Sequence, residues 1–125
     1  VNNLQKLDIW QKALDLCSSI YQLSKNFPKS EVYGLQSQIR RCAVSIPSNI
    51  SEGAGRNSPN EFLHFLGIAN GSCFELQTQI LISQNLNYFT TEESERLLNS
   101  IHEIQKMNLG LMRKIKSNIS NQSNL

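Results

Sequence analysis

Charge is scarce through the middle of this chain: between Glu61 and Glu92 the only formally charged residue is Glu75. No cluster of carboxylates stands there to hold the divalent ions of a metal-dependent nuclease, which counts against an enzyme of that class. Cysteine is equally uninformative for covalent chemistry. Cys17, Cys42 and Cys73 are odd in number, far apart and without a Cys-x-x-Cys spacing, which excludes a disulfide framework or a zinc site and leaves them as reduced, buried small hydrophobes. No dinucleotide or phosphate-loop fingerprint occurs, Gly53-Ala54-Gly55 included. No run of about 18 apolar residues and no basic segment leading into an apolar one is present, so neither a membrane partner nor export is expected. The expected compartment is the cytoplasm, and the Asn-x-Ser matches at Asn49, Asn70 and Asn118 are then incidental.

What is present is helical period. The 125 residues suit one domain spanning 1–125, large enough to bury a core without a metal or cofactor. Ile9, Trp10, Ala13, Leu16, Cys17, Ile20, Tyr21 and Leu23 recur at three- and four-residue steps, predicting a helix over 8–26 that Phe27-Pro28 ends. Leu35, Ile39, Cys42, Ala43, Ile46 and Ile50 predict a second over 31–54, kinked near Pro47. Ser58-Pro59-Asn60-Glu61 opens a third over 59–84 with a cap, an N1 proline and a capping-box glutamate. Thr90-Thr91-Glu92-Glu93 repeats the box for a fourth over 91–116, followed by an Asn- and Ser-rich tail at 117–125 expected to be disordered. Four long helices with short connections and no alternating strand pattern predict an all-α, antiparallel up-down-up-down four-helix bundle.

The third helix is apolar nearly all round, with Ile68, Phe74, Leu81 and Ile82 outside its core stripe. Neighbours within one bundle cannot cover every face, so a second copy of the chain is expected against it, with Gly67-x-x-x-Gly71 allowing close approach. The competing reading leaves these as scattered surface apolars. Arg41, Ser45, Ser48, Asn49 and Glu52 line the second helix away from its apolar stripe, as a solvated face, a hydrogen-bonded network under an interface, or a surface for nucleic acid. The expected interface set is Arg41, Ser45, Asn49, Glu52, Ile68, Gly71, Glu75 and Ile82.

The predicted topology gathers Lys6, Lys12, Arg56, Arg113, Lys114 and Lys116 at one end against Asp8, Glu52 and Glu61. The other end carries Lys25, Lys29 and Arg96 against Glu31, Glu92, Glu93 and Glu95. A net charge of +2 does not by itself argue for nucleic acid, but this asymmetry suits a cationic rim as well as it suits helix-dipole complementation. Glu61-x-x-His64 has the spacing of half a di-iron site, yet His102 has Asn99 where the second Glu should stand, so no metal and no cofactor are expected.

Trp10-Gln11-Lys12-Ala13, Phe27-Pro28, Gly34-Leu35-x-x-Gln38-Ile39-Arg40-Arg41, Ser45-Ile46-Pro47-Ser48-Asn49-Ile50-x-Glu52-Gly53, Phe62-x-x-Phe65-Leu66 and Gly71-Ser72 followed by Glu75 together resemble the 23S rRNA intervening-sequence proteins over about residues 4 to 116. The resemblance implies a four-helix bundle whose relatives are encoded within intervening sequences of 23S rRNA genes, with no established enzymatic activity. It also implies a fold similar to the accessory variability protein of diversity-generating retroelements, which looks like a basic pentamer that binds nucleic acid and a reverse transcriptase. That relative is strongly basic and this chain is not. The resulting expectation is a non-enzymatic homo-oligomer, a pentamer by that likeness, contacting structured RNA or DNA through Lys12, Arg40, Arg41, Arg56, Arg113 and Lys114. The alternative is a scaffold for another protein.

Overall fold

A computed structural model describes residues 3–123. Asn3 accepts the N–H of Gln5 at 3.2 Å and starts a 3-10 turn, Leu4–Lys6, that leads into α1 (Asp8–Ser24). Ile9, Ala13, Leu16 and Ile20 form the buried face of α1, as their spacing requires.

The second helix starts later than its apolar period suggests. Pro28 precedes a 3-10 turn, Lys29–Glu31, and α2 runs over Leu35–Ala54. The reason is local: Glu31 folds its carboxylate forward to accept the N–H of Leu35 at 3.0 Å, supplying the cap that Gly34 has no side chain to give. Pro47 lies inside α2 and is buried, so the carbonyl one turn earlier loses its usual N–H donor. Around it Ser45 Oγ donates to the Cys42 carbonyl at 2.6 Å and Asn49 Nδ2 to the Ser45 carbonyl at 2.7 Å.

Ser58 Oγ accepts the N–H of Glu61 at 3.2 Å at the start of α3 (Pro59–Asn85). The expected reciprocal bond from Glu61 is replaced by a contact to Arg56 Nη1 at 3.4 Å, because a guanidinium is a better partner for a carboxylate than a backbone N–H. Past the C-cap Leu86, Asn87 takes a φ of 62° that lets Tyr88 N–H reach back to the Ser83 carbonyl at 2.8 Å. Asn tolerates that left-handed backbone better than most side chains.

At α4 (Thr91–Ser123) the capping box is complete: Glu93 N–H donates to Thr90 Oγ1 at 3.1 Å and Thr90 N–H to Glu93 Oε1 at 2.9 Å. The helix continues through residues 117–123, correcting the expected disordered tail there; residues 124 and 125 lie outside the described residues. Ile115 and Ile119 extend the apolar stripe by another turn, and adding a residue to an existing helix is easy once nucleation is done.

Each helix packs on its chain neighbour and α1 also packs on α4, so α2 and α4 occupy opposite corners of a four-helix bundle. Ile20, Ile39, Ile46, Ile50, Leu66, Leu76, Ile80, Ile101 and Ile104 fill its centre with almost no exposure, each contributing about 1.5–3 kcal/mol of apolar burial. One end is closed by an aromatic group in which Phe27 stands 5.1 Å from Tyr88 and 5.0 Å from Phe89, ring centre to centre. Among the described residues no helix is long and apolar enough to cross a membrane.

Candidate functional site

The six cations expected to meet phosphate do not stand alike. Lys12 pairs with Glu103 of α4 at 2.8 Å. Arg40 is a tie between helices: its guanidinium donates to Ser24 Oγ at 2.8 Å and the Tyr21 carbonyl at 3.2 Å, and lies 4.8 Å from the Tyr21 ring centre. Arg56 is held by Glu52 at 2.7 Å and Glu61 at 3.4 Å, and covers the Phe65 ring at 5.2 Å. The Glu52 carboxylate beside it raises the Arg56 pKa further above its already high value, fixing the charge. Lys12 and Arg56 thus face carboxylates of the same chain, while Arg40 keeps its charge but directs its guanidinium at neutral acceptors.

Arg113 and Lys114 of α4 are exposed and, among the described residues, make no side-chain ion pair. Lys106 and Lys116 share this property and complete a set that the list of expected contacts omitted. The signal was available in the sequence: from Ile104 onward the chain has no Asp or Glu. Lys106 and Arg113 lie two turns apart on one outward line of α4, about 10 Å from one to the next. The basic half of the helix therefore presents to solvent a face with positive charges and no negative one.

The end of α4 and the start of α3 also border an open cleft of about 590 Å³. Leu7, Phe62, Leu111, Ile115 and Ile119 give it apolar walls, while Arg56 and Lys114 stand at its edge.

Within one copy the polar stripe of α2 bonds mainly to its own helix. Ser45 and Asn49 satisfy backbone carbonyls of their own helix, and Glu52 turns to Arg56. Arg41 is exposed and has no side-chain hydrogen bond or ion pair among the described residues. It sits on α2, across the bundle from the α4 cations.

On α3 the expected apolar surface is open: Ile68 is 40% exposed, Phe74 58%, Leu81 47% and Ile82 43%. A Cβ built on Gly67 or Gly71 would meet nothing within 4 Å, so these glycines face open space within one copy. Glu75 is exposed on the same helix and accepts a bond from Gln79 Nε2 at 3.3 Å.

Cys42 and Cys73 lie in the core between α2 and α3, and Cys42 Sγ donates to the Ser72 carbonyl at 3.3 Å. Burial first, then the nearby Glu75 carboxylate, pushes the Cys42 thiol up to about 12, and burial pushes Cys73 up to about 12. Thiols so shifted are held in the protonated form at neutral pH. Glu61 and His64 do not form part of a metal cluster: among the described residues no three His, Cys, Asp or Glu side chains converge as ligands.

The family model described as "23S rRNA-intervening sequence protein" matches residues 5–110. Among solved structures, the chain is similar to a protein of unknown function from the S23 ribosomal protein family of Bacteroides thetaiotaomicron, with a TM-score of 0.77 at 26% identity. That alignment covers 83% of this chain and 97% of the other. No curated protein matches this sequence.

Proposed function

Because the chain belongs to the family of 23S rRNA-intervening sequence proteins, we propose that it is a non-enzymatic, homo-oligomeric protein of the cytoplasm that binds structured RNA or DNA through the basic half of α4. The observation that carries this reading is the exposed set Lys106, Arg113, Lys114 and Lys116, which makes no ion pair among the described residues and stands on a helix segment without a carboxylate. Such a face holds phosphates without reading bases, since lysine and arginine contacts to the backbone position a protein but carry no sequence information. Lys12, Arg40 and Arg56 are removed from the expected contact set, since each is engaged within the chain.

An up-down-up-down order of helices belongs to the same reading. It is supported by bonds whose numbers rise on one helix as they fall on the next: Leu66 to Asn108 and Asn70 to Gln105 between α3 and α4, and Tyr21 to Arg40 and Ser24 to Gln36 between α1 and α2. A bend in α2 near Pro47 fits the side chain-to-carbonyl bonds that flank it. Repetition of α4 around an assembly, a pentamer in this reading, would multiply its charge and offset the chain's modest total of +2.

The test is a titration of purified protein against structured RNA, duplex DNA and single-stranded DNA at low and near-physiological salt. The expected result is affinity that falls steeply with salt, with a slope reduced by replacing Lys106, Arg113, Lys114 and Lys116 with glutamine. Negligible binding at low salt would overturn the reading. The exposed apolar side chains of α3 would then favour a protein scaffold, supported by a capture that survives nuclease treatment.

A further inference from the structure

Ile68, Glu75 and Ile82 fall seven residues apart, on one line of α3, with an isoleucine two turns to either side of the carboxylate. Both isoleucines are more than 40% or at 40% exposed. Glu75 is the only formal charge on the whole helix after Glu61. Its position on the bundle follows from Ser72, just under one turn earlier on α3, whose carbonyl accepts a bond from Cys42 Sγ of α2 at 3.3 Å. Glu75 therefore stands on the edge of α3 that borders α2, at the level of Cys42.

Arg41 is the next residue along α2 and so lies at this level too, on the outer face of its helix. It is the one arginine of α2 that the fold does not use, since Arg40 is committed to Ser24 and Tyr21. One face of the molecule thus carries an apolar strip with a single carboxylate in its middle and, beside it, a single uncommitted guanidinium. Covering the isoleucines with any apolar surface would strip water from Glu75, and a carboxylate so buried needs a cation against it. A second copy brings the matching group at the matching level. A guanidinium suits the task because its planar fork satisfies a carboxylate bidentately and loses less hydration than an ammonium.

We propose that this α2–α3 face is covered by a second copy of the chain, with Arg41 of one copy paired to Glu75 of its neighbour. The proposal rests on the homo-oligomer reading above and deepens it by naming the contact. Arg41 is then unavailable to phosphate, which leaves the α4 cations to carry nucleic acid.

The experiment measures mass by sedimentation at micromolar concentration for the full chain, for Arg41→Glu, for Glu75→Arg, for the double variant and for an equimolar mixture of the two single variants. Far-ultraviolet circular dichroism checks that each variant keeps its helix content, and Glu75→Gln provides a milder substitution at the same site. The expected result is an oligomeric full chain, single charge reversals that lower the mass at least twofold, a double variant that regains the full mass, and a mixture whose mass rises above that of either single variant because the reversed charges meet only between copies. A single-chain mass for the unaltered protein would overturn the oligomer reading itself. An oligomer whose mass is untouched by either reversal would overturn the pairing alone. Reassembly of the double variant without reassembly of the mixture would likewise overturn it, by placing the pair within one copy.

Discussion

Tyr88 donates its phenolic hydrogen to Glu31 Oε2 at 3.0 Å, while the other oxygen of that carboxylate caps α2 at Leu35. One side chain therefore ties the α3–α4 connection to the start of α2. Being a hydrogen-bond donor to a carboxylate, and lying near its negative charge, raises the Tyr88 pKa above the usual tyrosine range. A raised pKa means that the contact stabilises the fold fully below the unfolded tyrosine value and is lost as pH rises through the folded one. Ultraviolet titration is expected to show a late-ionising tyrosine that Glu31→Gln shifts downward and Tyr88→Phe removes.

Gly53 and Gly110 are both helical glycines, and their alanine variants are expected to move stability in opposite directions. A Cβ on Gly53 would fall 2.8 Å from the Phe65 Cβ and 3.0 Å from Phe62 Cδ1, so α2 and α3 must part to admit it. A Cβ on Gly110 meets nothing within 4 Å. Chemical denaturation is expected to show Gly53→Ala less stable by about 1–3 kcal/mol from overpacking. Gly110→Ala should be more stable by up to about 1 kcal/mol from helix propensity.

Arg40 and Arg113 divide structure from binding. Arg40→Gln removes two charge-assisted bonds and a cation–π contact, and is expected to cost about 1–3 kcal/mol of stability while leaving the salt slope of nucleic-acid binding in place. Arg113→Gln is expected to do the reverse, lowering the slope with stability unchanged within about 0.5 kcal/mol. Paired denaturation and binding titrations check both.

Thiol reactivity reports the α2–α3 core. With Cys42 and Cys73 held near 12, both are expected to stay unmodified by an aromatic disulfide reagent at neutral pH until the chain unfolds. Half-buried Cys17, whose pKa burial also raises, should react ahead of them. Because these pKa values are raised, the thiols' contribution to stability is intact below the ordinary thiol range and declines as pH climbs toward 12.

Signals that act within a few residues were legible in the sequence. Ser58, Pro59 and the Thr90–Glu93 pair mark helix starts where they were expected, and the apolar period names most of the core. Where the reading missed, a side chain chose between partners. Glu31 delays α2 by reaching forward to Leu35, and Glu61 leaves its own capping box for Arg56. The availability of the cations depends on pairings such as Lys12 with Glu103, ninety-one residues away, which local pattern does not encode. The missed Lys106 needed only a search for stretches lacking the opposite charge.

The continuity of α4 makes its charge pattern a matter of rotational phase. Leu111, Ile115 and Ile119 face inward at a fixed angle to Lys106 and Arg113, which face outward on the same rod. Inserting one residue after Gly110 would turn everything beyond it by about 100°, swinging cations toward the core and isoleucines toward water. Net charge would not change, yet both surfaces would be lost together. Inserting seven would return both to within about 20° of their places and lengthen the basic line by two turns. Length changes in this helix are therefore tolerable only in steps that preserve its angle.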